Sequence, residues 1–145
     1  MAPRYTTDAE TERVFPAYLR LHLFDDDHDG VEDAGVSDMV RENADDMIDG
    51  YIQAANLKVP VAGTVPTFIK YSALAIYRWL SHERVGADDE KLERAYDRTL
   101  EQLDKMVAGE IRVGLDPVPL PSTRATKTTL TSQTMVFGRG NLGGL

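Results

Sequence analysis

The chain has 145 residues, no cysteine and a formal charge of −8. That length suits one domain with its own core, and the missing cysteine excludes disulfides, thiol catalysis, iron–sulfur clusters and cysteine-ligated zinc. From Glu110 onward four cations (Arg112, Arg124, Lys127, Arg139) face two anions (Glu110, Asp116), so the first 109 residues carry −10. A body so acidic argues against gripping duplex DNA, which takes lysine and arginine on phosphate. The polar residues 1–12 hold no secretory leader. The most apolar stretch, residues 65–80, contains Lys70 and Arg78 and falls short of the ~20 apolar residues of a membrane span. A soluble, intracellular protein with no membrane partner is expected.

Residues 7–15 read as a short helix, with Thr7 as N-cap and Glu10 completing a capping box. Pro16 ends it. The apolar residues 18–24 fit either a strand or a turn of helix, and residues 25–35 are a loop. The next helix runs from Ser37 or Asp38 to Ala55. Its apolar positions come in pairs, Met39/Val40, Asn43/Ala44, Met47/Ile48 and Tyr51/Ile52, with Asn43 the polar exception. One pair per turn makes a single buried stripe. The opposite face carries Glu42, Asp45, Asp46 and Asp49 and reads as solvated. Asn56 and Pro60 terminate the helix.

Thr64 is the expected cap of the following segment, with Pro66 in its first turn. Residues 65–80 are apolar on nearly every face, through Phe68, Ile69, Leu74, Ile76, Tyr77, Trp79 and Leu80. Such a helix belongs in the middle, and its surplus could face a partner subunit. Gly86 stops it. Asp88 is the expected cap of a last helix reaching Val107, with a stripe of Leu92, Tyr96, Leu100, Leu103 and Met106, and Gly109 follows its end. The fold class is therefore all-α. Residues 1–109 form a small bundle of three to four helices, and residues 110–145 form an extended C-terminal docking arm. Within the arm the threonine-rich residues 128–137 have the composition of a β-strand.

Little in the sequence is catalytic. There is no nucleophile elbow, phosphate loop or dinucleotide fingerprint, and His22, His28 and His82 are scattered, so no enzyme is expected. The strongest local motif begins at Asp25. Asp25, Asp27 and Asp29 stand at places one, three and five of a calcium loop, with Gly30 at the sharp turn, the Val31 carbonyl at seven and Asp33 at nine. The twelfth place is Val36, not the bidentate glutamate a full loop requires, although Asp38 could stand in. No cofactor is required, and Ca²⁺ is the candidate ion; a solvated acidic turn is the alternative. In the arm, Leu130, Met135, Val136, Phe137, Arg139 and Leu142 are candidate docking contacts, against the alternative of a disordered tail.

Several stretches together resemble the head–tail connector proteins of tailed bacteriophages, specifically the Mu-like head-completion (adaptor) family. They are Asp29-Gly30-Val31; residues 44–52 with Ile48-Asp49-Gly50-Tyr51; Val59-Pro60; and Val65-Pro66 leading to Tyr77-Arg78-Trp79-Leu80. The helix closing in Ala108-Gly109 and the ending Val136-Phe137-Gly138-Arg139-Gly140-Asn141-Leu142 complete the set. The resemblance implies a ring of about twelve identical subunits in the virion neck, assembled in the host cytoplasm. Such a ring joins the portal protein to a downstream neck or tail-completion protein. It also implies a DNA channel through which DNA passes without specific binding, and Asp45, Asp46 and Asp49 are the candidate channel-facing residues. A calcium-responsive helical binding module, using residues 25–35, is the competing reading.

Overall fold

The computed structural model describes residues 4–119, and among these the regular structure is five helices with no strand. Helix α1 (Asp8–Val14) opens on the expected capping box: Thr7 accepts from the Glu10 amide at 3.3 Å, and Glu10 accepts from the Thr7 amide at 2.9 Å. Pro16 then serves as N-cap of α2 (Ala17–Phe24), so the ambiguous apolar segment is helical. Eight residues are too few to hold a helix in water. Burial of Leu23 and Phe24, both 0% exposed, holds this one.

Helix α3 (Val36–Ala54) ends where Asn56 adopts φ 57°, a left-handed conformation that asparagine tolerates better than most residues. Helix α4 (Thr67–Arg84) starts later than the sequence suggested. Pro66, not Thr64, is its N-cap, and the helix runs past Leu80 to Arg84 before Gly86 turns the chain at φ 68°. Helix α5 (Glu90–Val107) is capped by Asp89, not Asp88: the Asp89 carboxylate accepts from Lys91 N–H at 2.9 Å and Leu92 N–H at 3.3 Å. At α5 the neighbouring aspartate took the cap, whereas Pro66 stands at the start of α4 with no side-chain hydrogen bond.

Helices α3 and α4 form the principal pair, α5 packs on both, and α1 and α2 lie against α4. Of each apolar pair on α3, the second member is the buried one: Val40, Ala44, Ile48 and Ile52 are at most 3% exposed. Met47 and Tyr51 are half-buried, while Met39 and Asn43 face solvent. Opposite lie Ile69, Ala73, Ile76 and Tyr77 of α4, and Leu103 and Met106 of α5. The surplus on α4 is smaller than its composition implied. Phe68, Leu74, Trp79 and Leu80 are half-buried, Trp79 stacks on Tyr96 at 5.4 Å, and Tyr71 is the large apolar residue of α4 left 67% exposed.

An aromatic knot ties the first two helices to α4. The ring of Phe15 lies 6.1 Å from Phe24, 5.5 Å from Tyr77 and 5.6 Å from His82. His82, in the last turn of α4, directs Nδ1 at the Arg78 carbonyl at 2.9 Å.

Beyond Gly109 the chain turns back. Ile111, Val113 and Leu115 pack against the core, and Leu57 and Pro117 form an isolated antiparallel bridge. Its hydrogen bonds are Lys58 N–H to Asp116 O at 3.0 Å and Val118 N–H to Asn56 O at 2.8 Å. The segment expected to begin a free arm is thus part of the body as far as Val118. Replacing Ile48, 0% exposed, by alanine is expected to lower the unfolding free energy by about 2–5 kcal/mol in urea denaturation. A loss below about 1 kcal/mol would mean that this face of α3 is not core.

Candidate functional site

The acidic face of α3 is not the open surface the sequence suggested. Asp45 is 1% exposed and Asp49 8%, while Asp46 stays open. The cover is the segment before α1. Arg4 N–H donates to Asp45 Oδ2 at 2.5 Å, and the Arg4 guanidinium reaches Asp46 at 2.7 Å and Asp49 at 2.9 Å. The Tyr5 side chain enters the core at 2% exposure, and its hydroxyl donates to Asp49. One turn earlier on α3, Arg41 is 4% exposed. It donates to Thr6 O at 2.8 Å, Asp8 at 2.5 Å and Asp38 at 3.0 Å. Residues 4–8 therefore lie along the polar stripe 38, 41, 45, 49, whose spacing of three and four keeps it on one side of the helix.

This assignment corrects the reading of Asp45 and Asp49 as solvated carboxylates. Fully buried carboxylates are rare unless paired, and here the pairing partners lie some forty residues upstream in sequence. The available signal was the four-residue spacing of Arg41, Asp45 and Asp49, with a lone arginine on an acidic face. Burial pushes the Asp45 carboxyl above the ordinary carboxylate range, against the amides of Arg4 and Tyr5 and the charges of Arg4 and Arg41, which pull it down. Burial, then the bond to Asp49, raises the Tyr5 hydroxyl well above the usual tyrosine range.

The Asp-rich loop brings three of its five expected ligands together. Carboxylate oxygens of Asp25, Asp27 and Asp29 lie within 4.8 Å of one another. Backbone amides already thread the cluster. Asp25 accepts from Asp29 N–H at 3.2 Å and Gly30 N–H at 2.9 Å, Asp27 from Asp29 N–H at 3.1 Å, and Asp29 from Val31 N–H at 2.8 Å. Burial works to raise Asp25, but the amides of Gly30, His28 and Asp29 outweigh it and hold its pKa below the ordinary value. The Asp29 amide works to lower Asp27; burial and the charges of Asp29 and Asp33 leave it raised.

Asp33 and the stand-in Asp38 do not join these three carboxylates. Asp33 turns its carboxylate to Asp26 N–H at 2.7 Å, Val36 opens α3, and Asp38 is held by Arg41 at 3.0 Å. Calcium takes six to eight oxygens, so these residues fit an ion poorly. The loop is braced by protein instead: Arg84 bonds Leu23 O at 2.7 Å and also the Asp26 carboxylate, and Arg20 holds Glu32 through two bonds of 2.7 Å. Titration calorimetry is expected to give a calcium dissociation constant no tighter than about 10⁻⁴ M. A micromolar constant would contradict this account of the loop.

A groove of about 570 Å³ opens between the ends of α3 and α5 and the returning segment, with Ala55, Leu57, Met106, Ile111, Val113 and Leu115 among its walls. The docking residues expected from sequence, Leu130, Met135, Val136, Phe137, Arg139 and Leu142, and the strand expected around them, lie outside the described residues. Among the described residues no helix is long and apolar enough to cross a membrane.

The family model described as Bacteriophage Mu, Gp36 matches residues 5–131. No curated protein and no solved structure matches the chain. The matched span takes in the Arg4–Asp8 contact region from Tyr5 on, all five helices and the returning segment; the ending at residues 136–142 falls beyond it. With a match across most of its length, the chain belongs to the Bacteriophage Mu Gp36 family and is a bacteriophage protein of the Mu-like kind.

Proposed function

We propose that this protein is a structural adaptor of the phage neck. Copies of it form a ring, of about twelve subunits, that joins the portal protein to a downstream neck or tail-completion protein and continues the DNA channel. The observation that carries the reading is the family match over residues 5–131. Two features of the surface support it. Large apolar side chains stand in solvent, namely Tyr18 at 76%, Tyr71 at 67% and Met39 at 50% exposure, and subunit contacts would cover such groups. The body is also strongly acidic, which lets DNA slide past without being held.

The channel-facing role assigned from sequence to Asp45, Asp46 and Asp49 does not suit side chains of which two are buried. Helix α5 offers a better surface. Glu93, Asp97, Glu101 and Asp104 are exposed, and their spacing of three and four sets them on one side of the helix. Arg94, Arg98 and Lys105 fall on an adjacent side. We assign the acidic stripe of α5 to the channel.

The reading is tested by mixing the protein with purified portal rings and weighing the product. The expected result is a discrete ring-on-ring complex, lost when residues 128–145 are deleted. A chain that stays monomeric beside the portal would overturn the adaptor role. For the channel, replacing Glu93, Asp97 and Glu101 by lysine is expected to leave neck assembly intact and to cut infectivity at least tenfold by retaining DNA. Full infectivity would remove α5 from the channel wall.

A further inference from the structure

Residues 4–7 belong to no helix, yet Tyr5 and Thr6 are buried. Their grip on α3 is a series of polar contacts around one side chain that is poorly provided for. Asp45 is 1% exposed; its Oδ2 takes the Arg4 amide at 2.5 Å, and its Oδ1 has no hydrogen-bond partner among the described residues. A buried carboxylate with one oxygen left unbonded is costly as an anion, even with the amides of Arg4 and Tyr5 acting on it, because that oxygen has given up water without a replacement. Protonation removes that cost, since the neutral acid carries no charge to solvate.

The ionisable groups around Asp45 are Arg4 and Tyr5 from the segment and Arg41, Asp46 and Asp49 from α3. Arg4 spends its guanidinium on Asp46 and Asp49, and Arg41 is engaged with Asp8 and Asp38. Each arginine assists Asp45 through space, by its charge.

We propose that residues 4–7 are a proton-sensitive clasp: the segment lifts from α3 as Asp45 becomes charged and closes when Asp45 is neutral, while the helices stay folded. The sign follows from linkage. In the closed clasp, burial holds the Asp45 carboxyl above its ordinary range. Once the segment lifts, the carboxyl meets water and returns to about 3.9. The closed form therefore binds the proton more tightly. Closure is strongest below about pH 4, weakens as the pH rises from there, and reaches its floor above the closed-state value. Opening exposes the Tyr5 slot and little else of the core, so it is a local event and not global unfolding.

Hydrogen exchange of the Arg4 amide in the full chain reads the clasp directly, because that N–H is the donor to Asp45. After correction for the intrinsic rate, its protection is expected to fall at least about threefold between pH 4 and pH 8, as the carboxyl passes from neutral to charged. Protection at Ile48 and Ile52 should not move. In Asp45→Asn the Arg4 protection should be independent of pH. Flat protection in the parent chain, a slope that survives Asp45→Asn, or a parallel fall at Ile48 would each overturn the clasp. If Asp45→Asn does not fold, Tyr5→Phe serves instead. Losing the bond to Asp49 should lower Arg4 protection about fivefold at every pH and leave the slope in place; no change in protection would refute the proposal.

Discussion

Helix α3 is buried along two stripes at once, and the rest of the molecule is arranged around that constraint. Val40, Ala44, Ile48 and Ile52 face α4 and α5, while Arg41, Asp45 and Asp49 lie beneath the N-terminal segment. The first stripe gains free energy from leaving water, at roughly 1.5–3 kcal/mol for each fully buried large side chain. The second gains little, because burying charge costs about as much as pairing returns. What the polar stripe contributes is register. A guanidinium and a phenol find their carboxylates in one alignment, so residues 4–8 can lie on α3 in one way only.

That division explains what was legible in the sequence. The helices that pack through apolar stripes could be read with their order and ends nearly right, since a period of 3.6 is a local property. The Thr7–Glu10 capping box was equally plain, because its partners sit three residues apart. The caps of α4 and α5 slipped by one or two positions: Asp88 and Asp89 compete on similar terms, and α4 begins after Pro66 with no side-chain cap at all. Contacts between distant parts of the chain left no such trace. Arg4 with Asp45, Tyr5 with Asp49 and Asp116 with Lys58 are pairings of ordinary surface residues until the fold brings them together. The acidic face of α3 was misread for this reason, and the start of the arm was placed too early.

The calcium motif shows a related limit. The spacing of Asp25, Asp27 and Asp29 does what spacing can do, which is to bring three carboxylates within reach of one another. It does not decide what they hold. Asp38 was available in sequence as a further ligand, but in the fold it belongs to Arg41, and Asp33 belongs to the Asp26 amide. Competition among donors decided the loop's chemistry, and that competition is visible only in three dimensions.

The bridge between Leu57 and Pro117 has a mechanical meaning. The last described residues, Val118 and Pro119, follow directly on a point stapled to the connection between α3 and α4, not on the end of α5. A load applied to the chain at Pro119 would first meet the hydrogen bonds at Lys58 and Asn56, then the joint between the two central helices. The anchorage thus directs traction into the connection between α3 and α4 and spares the last turns of α5 from unravelling.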